Sequence, residues 1–241
     1  MWTTLPIIGF DTETTGVDPA EDRLVTCSLV RLTSDGVERM YWLADPGVEI
    51  PERATAVHGI STEYARTKGR PITEVLAEIS HVLVPHLAAG YPAVAFNASY
   101  DFTLLESELE RHGLPTLAQQ LGGKVFPVVD PYLLDRSVDQ YRRGKRHLEH
   151  LCTHYGVTVA DDFHNAEADV VATLRLLGAM MRRYPQLAST PLQEIVQKQE
   201  IADREFVAFL NRRAIAKGRP ARETMDSWPV RTAKRTQEAM H

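Results

Sequence analysis

Carboxylates in three separate segments of the chain are the first candidates for chemistry. Asp11 and Glu13 lie two residues apart in the segment 10–16, FDTETTG, directly after an apolar run. Residues two apart on a strand point to the same face, so these two carboxylates would lie side by side. Like charges that close repel each other unless a cation lies between them. If the strand ends before them, both are ordinary solvated loop acids.

Two further acids follow other apolar stretches. Asp101 lies in the segment 96–102, FNASYDF, where a strand gives way to a helix, and on its own it is an ordinary first-turn acid. Asp169 opens a later helix, and His164 precedes it by five residues in a loop. A lone histidine is usually structural or exposed, and a lone aspartate at a helix start usually serves the helix. Their shared position favours a site, because open sheets bind ligands at the carboxyl ends of their strands.

Together, four carboxylates and one histidine predict metal-assisted hydrolysis. Hard oxygen ligands with few nitrogens suit Mg²⁺ or Mn²⁺ rather than zinc. Four acids could hold two such ions about 4 Å apart, which is the arrangement that clamps the attacking and leaving oxygens in phosphodiester hydrolysis. A histidine, whose ordinary pKa is near neutrality, fits the general base for the attacking water, and His164 is the candidate.

The elements that must position these residues follow from the hydrophobic pattern. Strand-like runs occupy residues 6–10, 24–33 and 37–44, and an Asp-Gly turn between the last two predicts an antiparallel hairpin. Helical spacing then alternates with short strands. The further predicted elements are helices over 73–87, 102–112, 132–140, 148–155 and 167–183 and strands over 93–96 and 125–129. This order predicts a mixed sheet covered by helices on both faces.

The order Asp-x-Glu, then Asp, then His-x4-Asp resembles the DEDDh family of 3′-5′ exonucleases. The segments 10–16 and 97–102 match the first two family motifs closely, and His164 and Asp169 have the spacing of the third. The segment 57–60, VHGI, is similar to a family segment that lies near the terminal nucleotide of the substrate. The resemblance covers roughly residues 5–183 and implies an α/β, ribonuclease H-like fold, with a five-stranded mixed sheet that has one antiparallel strand.

The resemblance also implies roles for individual residues. The residues implied to bind two Mg²⁺ or Mn²⁺ ions are Asp11, Glu13, Asp101 and Asp169. With His164 as the general base, these would be the catalytic residues. Candidates for substrate binding are Thr12, Thr14, Thr15, Gly16, His58, Asn97 and Phe102. The helical spacing of Phe102 fits a core residue better than a stacking residue. Glu167, an extra acid that we expect to face solvent, departs from the family pattern.

The activity implied by the resemblance is metal-dependent release of 5′-mononucleotides from the 3′ end of single-stranded DNA. Action on RNA or short oligoribonucleotides is the alternative, because the motifs show no contact to a 2′-OH. A non-catalytic nucleic-acid-binding or polymerase-associated module on the same fold would lack an acid or the histidine, and all five are present. A nucleic acid with a free 3′ end is therefore the expected partner. A DNA polymerase or a repair complex is a further candidate, and the oligomeric state stays open.

Composition limits the remaining alternatives. The chain has 241 residues, and its 27 Lys and Arg against 32 Asp and Glu give a net charge of −5, which excludes a uniformly basic coat but not a local basic groove. Its two cysteines, Cys27 and Cys152, argue against a disulfide scaffold or a four-cysteine zinc site. No apolar stretch reaches the roughly 18 residues that span a bilayer, and no basic segment followed by an apolar core opens the chain. We therefore expect a cytoplasmic protein without membrane contact.

Two basic regions lie outside the motifs. The run 142–146, RRGKR, between two helices is either a solvated face or a contact for phosphates that lead into the acidic site. Because the α/β pattern is complete near residue 185, we predict an exonuclease domain over 1–185 and a C-terminal helix with a basic tail over 186–241. The tail after residue 217 is typical of a solvated, partly disordered segment, although its cations could also contact phosphates.

Overall fold

A six-stranded sheet forms the centre of the computed structural model, which describes residues 1–158, 166–219 and 227–231. The strands are β1 (Ile7–Thr14), β2 (Leu24–Thr33), β3 (Gly36–Asp45), β4 (Arg70–Pro71), β5 (Ala93–Val94) and β6 (Val128–Val129). The helices of the first half are α1 (Glu52–His58), α2 (Thr62–Lys68), α3 (Ile72–Ala88), α4 (Ser99–Arg111) and α5 (Leu117–Gln120). Those of the second half are α6 (Pro131–Val138), α7 (Leu148–His154), α8 (Ala166–Arg183), α9 (Pro185–Ser189) and α10 (Leu192–Ala216).

The strand order is β4-β3-β2-β1-β5-β6, and β2 runs antiparallel to both of its neighbours. The other neighbouring pairs are parallel. The predicted five-stranded mixed sheet with one antiparallel strand is therefore confirmed, and β4 adds a two-residue strand at its β3 edge. The predicted hairpin is also present, with Thr33 opposite Gly36. Gly36 has a φ of 141°, which a residue with a side chain rarely adopts.

Helices cover both faces of the sheet, as predicted. Ala93 and Val128 belong to the core cluster that α3 and α4 share with the sheet, whereas Val94 and Val129 belong to the cluster formed with α7 and α8. The alternation of these neighbours follows from the strand period of two. Both strands are shorter than predicted, because the chain turns into α4 directly after residue 96 and because Pro127 has no N–H for the ladder.

Four short helices, α1, α2, α5 and α9, lie in segments for which no helix was predicted. None is longer than seven residues, so each offers at most two turns in which a helical period could show. Local capping stabilises two of them. The side chain of Ser61 accepts a hydrogen bond from the Tyr64 N–H, and Thr116 and Gln119 form a capping box.

Helix α10 packs against the rest of the molecule. Ile195 and Val196 are buried in the two core clusters. The Gln199 side chain, which is also buried, donates to the Val128 carbonyl at 3.1 Å and accepts from the Asp130 N–H at 2.5 Å. The start of α10 is thus part of the same core as the sheet, and the division of the chain at residue 185 stays a prediction.

The segment 227–231 packs on α4 and α10. Trp228 is 4% exposed and lies in the core cluster of the sheet and α3. The Arg231 N–H donates to Thr103 Oγ1 at 2.8 Å, and its guanidinium pairs with Asp203 of α10. The expectation of a solvated tail is therefore wrong for these five residues, because the side chain of Trp228 is inserted into the core and anchors them. In the part of the chain that the structure describes, no helix is long and apolar enough to cross a membrane.

Candidate active site

Three carboxylates converge at the end of β1. Asp11 and Glu13 belong to β1, which continues to Thr14, so both acids lie on the strand rather than in a solvated loop. Asp169 comes from the first turn of α8. One oxygen from each of the three carboxylates lies within 4.8 Å of the others, a group that can hold a metal ion. The structure thus brings together the first and third acidic segments of the sequence.

A glycine allows α8 to approach β1 closely enough to form this group. A Cβ atom at Gly9 would lie 2.5 Å from Cγ1 of Val170 and 3.0 Å from Cδ1 of Leu174. Such contacts are too short for a real Cβ, so α8 could not keep its position against a larger residue. Because Val170 directly follows Asp169 in the chain, the absence of a side chain at Gly9 helps to set the distance between Asp169 and the acids of β1.

Asp101 joins the site through the backbone of β1. Strand β5 pairs with β1 only at Ile8 and Gly9, so the later part of this edge of β1 faces the start of α4. Asp101 Oδ1 accepts hydrogen bonds there from the Thr12 N–H at 3.1 Å and the Thr12 hydroxyl at 2.7 Å. The fourth acid, 4% exposed, is therefore held between the positions of Asp11 and Glu13 along the strand.

Burial and mutual repulsion raise the pKa values of these acids. Burial raises the pKa of Asp11 well above its usual range, and the charges of the three neighbouring acids raise it further. Burial and the charges of Asp169 and Asp101 raise the pKa of Glu13 to about 8. Burial raises the pKa of Asp101 to about 7, although the hydrogen bonds from Thr12 oppose the rise. The burial and mutual repulsion of these carboxylates favour a counter-charge beside them, and hard oxygen donors suit a divalent cation.

The residues that follow β1 are held by contacts within the chain. The Thr14 hydroxyl donates to the Gly16 carbonyl at 2.7 Å, and the Thr15 hydroxyl donates to Asp22 Oδ1 at 2.9 Å. A Cβ atom at Gly16 would lie 2.4 Å from the Asp22 carboxylate, so a larger residue here would have to displace the Asp22 side chain. These residues shape the turn beside the site, as Thr12 shapes the position of Asp101. Their contact with a nucleotide stays a prediction.

Tyr100, which the sequence analysis missed, lies beside the turn that follows β1, whereas Phe102 lies in the core. Phe102 is 0% exposed and packs edge-on against Phe10 with 5.1 Å between ring centroids, so it has no free face for a base. Phe102 therefore lies in the core, which is the role that its helical spacing favours over stacking. Tyr100 is only partly buried, donates from its hydroxyl to the Gly16 carbonyl at 2.6 Å and lines a cavity of about 420 Å³. The helical spacing of buried residues in α4 already favoured a core role for Phe102.

Asn97 is held in place by an acid that the sequence analysis did not select. The N–H groups of Asn97 and Ala98 each donate to the Asp130 carboxylate at 3.0 Å. Asp130 is buried, and burial raises its pKa to about 7. Asn97 has a φ of 59°, in the left-handed region that asparagine tolerates better than most residues. The sequence signal for Asp130 is its position as the N-cap of α6, directly before Pro131.

His58 and Glu167 lie on the Glu13 side of the site. Together with Glu13 they line a cavity of about 290 Å³. The His58 Nδ1 atom accepts from the Ile60 N–H at 3.1 Å, and burial lowers the pKa of His58. Glu167 pairs with Arg39 of β3 at 3.0 Å. His164, the predicted general base, lies outside the described residues.

The relatives of this chain are DNA-processing proteins. It is 33% identical over 190 residues to a DNA polymerase III subunit epsilon-like protein of Rhodobacter capsulatus, covering 74% of this chain and 25% of that protein. It is 31% identical over 170 residues to the PolC-type DNA polymerase III of Streptococcus thermophilus, covering 70% of this chain and 10% of that protein. The chain thus spans a quarter or less of the length of these relatives.

Solved structures of exonuclease I share the fold. The Escherichia coli enzyme in complex with a dA16 oligonucleotide superposes with a TM-score of 0.63 at 22% identity, covering 76% of this chain and 42% of that one. Exonuclease I of Methylocaldum szegediense gives a TM-score of 0.60 at 21% identity, covering 76% of this chain and 42% of that one. At this identity the likeness shows the fold, which is that of the ribonuclease H-like nucleases.

The mixed sheet and the carboxylates at the end of β1 define a nuclease of this fold class. The family model described as Exonuclease, RNase_T, matches residues 8–177, which is more than half of the chain. The chain belongs to this family, in its DEDDh group of 3′-5′ exonucleases.

Proposed function

We propose that this chain is a metal-dependent 3′-5′ exonuclease that hydrolyses phosphodiester bonds from the 3′ end of single-stranded DNA and releases nucleoside 5′-monophosphates. The observation that carries the proposal is the group formed by Asp11, Glu13 and Asp169, with Asp101 beside it, in a member of the exonuclease family. The single-stranded substrate is supported by exonuclease I of the same fold, which has been crystallised with a dA16 oligonucleotide.

The four acids are proposed to hold two Mg²⁺ or Mn²⁺ ions. The oxygen donors of the four acids fit hard divalent cations, and so do the burial and the raised pKa values of Asp11, Glu13 and Asp101. When bound, such ions supply positive charge to the attacking and leaving oxygens of the phosphodiester. The protein contributes the placement of the acids, since Thr12 holds Asp101 and the contact at Gly9 positions α8 with Asp169.

In the proposed reaction, a water molecule attacks the phosphorus between the last two nucleotides. The bond from phosphorus to the 3′ oxygen of the shortened strand breaks, and that oxygen takes up a proton. The terminal nucleotide leaves with the phosphate on its 5′ oxygen. His164 is the proposed general base that removes the proton of the attacking water, a role that the resemblance to the DEDDh exonucleases implies and that the near-neutral ordinary pKa of histidine suits.

The nucleic-acid class and the partner are the finer aspects of the proposed function. Action on RNA is the alternative substrate class, since discrimination depends on contacts to the 2′-OH. The similarity to the two polymerase III proteins covers a quarter or less of their lengths. It therefore supports a nuclease unit of this kind and does not identify a polymerase as the partner.

A substrate panel tests the proposal. Single-stranded DNA, duplex DNA and RNA of one sequence, each labelled at the 5′ end, are incubated with the protein and Mg²⁺ or Mn²⁺. We expect the labelled single-stranded DNA to shorten one nucleotide at a time, with slower or no shortening of the other two. Internal cleavage, or shortening of RNA alone, would contradict the proposed activity.

A further inference from the structure

A buried carboxylate anchors the basic loop between α6 and α7. Asp135 of α6 is 0% exposed. Its Oδ2 atom accepts from Arg146 Nε at 2.5 Å and from Arg142 Nη2 at 3.3 Å, and its Oδ1 atom accepts from the Tyr155 hydroxyl at 2.8 Å. One side chain therefore ties down both ends of the basic run and the end of α7. We refer to residues 139–147 as the anchored loop.

The two arginines bound to Asp135 also hold the backbone of the anchored loop. Arg142 Nη2 donates to the Lys145 carbonyl at 3.2 Å, and Arg146 Nη2 donates to the Asp139 carbonyl at 2.6 Å. Their side chains are only 10% and 11% exposed. A run of charges on an ordinary solvated face needs no buried acid, and burying an acid is costly unless its partners are well placed. This loop is therefore built to hold one shape.

Two further cations of the anchored loop are exposed to solvent. Arg143 and Lys145 are exposed, and neither forms an ion pair with a residue in the described part of the chain. Gly144 between them has a φ of 99°, which a residue with a side chain rarely adopts. Because Asp135 offsets one of the two buried arginine charges, the loop keeps a positive charge in a chain that is acidic overall.

The anchored loop lies beside the acids of the site. Lys145 and Arg146 line a cavity of about 620 Å³ together with Asn97 and Asp169. The acidic group would repel the phosphates of an approaching strand. The cations that line this cavity together with Glu149 and Asp169 offset that repulsion. The cavity thus brings phosphate-binding chemistry to the edge of the proposed metal site.

We propose that the anchored loop is a phosphate-binding arm for single-stranded nucleic acid, in which Arg143 and Lys145 contact backbone phosphates of the strand whose 3′ end reaches Asp169. Asp135 is the positioning residue that fixes this arm next to the site. The inference rests on the proposed function, because hydrolysis at the 3′ end defines which end of the bound strand lies at Asp169. Binding of the strand by the loop, however, can be measured without hydrolysis.

Salt dependence of binding is the direct test. The variant Arg143→Ala/Lys145→Ala and its parent are compared in an Asp11→Asn background, so that no strand is consumed. Affinity for a fluorescent single-stranded 20-mer is measured by anisotropy between 50 and 200 mM NaCl. Each phosphate contact adds about 0.7 to the slope of log affinity against log salt, so the loss of two contacts lowers the slope by about 1.4. Over this fourfold range of salt, the factor by which affinity falls should therefore be about seven times smaller for the variant than for its parent.

A matched control removes two cations far from the site. Arg182 and Arg183 are exposed in the last turn of α8, roughly 20 Å along the helix from Asp169 at ~1.5 Å per residue. Arg182→Ala/Arg183→Ala should leave the slope unchanged. An unchanged slope in the loop variant, or an equal change in the control, would overturn the inference. Failure of the protein with Asp11 intact to hydrolyse any strand would contradict the proposed function and leave the binding result valid.

The role of Asp135 is tested by Asp135→Asn in the active protein. We expect KM for the 20-mer to rise about tenfold at 100 mM salt, as it would for the loss of two phosphate contacts. Turnover of the p-nitrophenyl ester of thymidine 5′-monophosphate, which has no further phosphates, should stay within about twofold. An equal loss on both substrates would show that Asp135 supports only the fold. If this variant does not fold, the salt slopes of the loop variant decide.

Discussion

The fold buries the acids of the site close to one another. In the absence of a cation, this placement changes their pKa values. Burial and neighbouring charges raise the pKa of Glu13 to about 8, and burial raises that of Asp101 to about 7. A carboxyl with a raised pKa keeps protons in the folded state that the unfolded chain has already released. Stability then falls as the pH rises from the unfolded towards the folded pKa. A bound cation removes this penalty.

We therefore predict that metal stabilises the protein more at high pH than at low pH. Without metal, the melting temperature should fall as the pH rises from about 4 to about 8, the window between the unfolded and folded pKa values of these acids. Mg²⁺ or Mn²⁺ should raise it most at about pH 8, because fewer protons then compete for the oxygens. Differential scanning fluorimetry measures both. Glu13→Gln is the control and should flatten the metal-free pH profile, while an equal metal effect at both pH values would contradict the account.

A second residue-scale prediction concerns His164. As a general base it should contribute about 10² to 10⁴ to the rate, so His164→Ala should slow hydrolysis by that factor. Its affinity for metal should change little, because the proposed ligands are carboxylates. Calorimetric titration with Mn²⁺ separates the two roles. A large loss of metal affinity would make His164 a ligand instead.

At the same scale, the sequence predicts some site residues and misses others for physical reasons. The spacing of Asp11 and Glu13 predicts a shared strand face because the strand period is two. The contact between Thr12 and Asp101 joins residues 89 apart in the chain, and no local pattern predicts such a contact. No local pattern shows which side of α4 faces the sheet, and therefore which of Phe102 and Tyr100 is fully buried. In the structure, Phe102 packs against Phe10.

Among the elements, the approach of α8 to β1 matters most for the site. We predict that Gly9→Ala weakens both stability and activity, because its Cβ would lie 2.5 Å from Val170. The strain should cost about 1 to 3 kcal/mol, and a shift of Asp169 by about 1 Å could cost 10²-fold in rate. Urea denaturation and hydrolysis assays measure the two effects.

Gly178→Ala in α8 is a matched control for this substitution. A Cβ atom there would meet only the end of the Arg182 side chain at 3.6 Å. Alanine is the better helix former, so this variant should keep full activity and gain about 0.5 to 1 kcal/mol. Equal behaviour of the two variants would contradict the role given to Gly9.

The longer elements follow from the sequence because their patterns are long. The helix predicted over 167–183 matches α8 (Ala166–Arg183), and the predicted hairpin matches β2 and β3. The strand predicted over 125–129 is reduced to two residues, since Pro127 cannot donate to a ladder. The short helices α1 and α2 show no period, and only the capping serine of α2 marks one of them.

At the scale of the whole molecule, the segment 227–231 shows that part of the basic C-terminal region packs onto the core. Trp228 is buried in the main core, and Arg231 joins Thr103 of α4 to Asp203 of α10. A basic composition favours a solvated tail, but one buried aromatic side chain offsets the entropy of ordering several residues. Composition averages over the segment and therefore conceals the contribution of Trp228.

We predict that Trp228→Ala lowers the free energy of unfolding by about 3 to 5 kcal/mol, the usual cost of removing a buried tryptophan. Urea denaturation measures this cost. Turnover of a short oligonucleotide at low temperature should change little, since the substitution leaves the site acids in place. Tyr141→Ala is the control, because Tyr141 is 90% exposed. A stability equal to that of the control would show that the segment is not held by Trp228.

The central claim is that the acids at the end of β1 perform metal-dependent removal of the 3′-terminal nucleotide. The most direct measurement is the single-turnover release of a 3′-terminal label from single-stranded DNA, with Mg²⁺ or with excess chelator. The account predicts that the first labelled product is a 5′-mononucleotide, released only with metal. It further predicts that Asp11→Asn and Asp169→Asn fall to the chelated rate while Glu63→Gln, an exposed acid of α2, keeps full activity. Release in excess chelator, or full activity of either site variant, would contradict it.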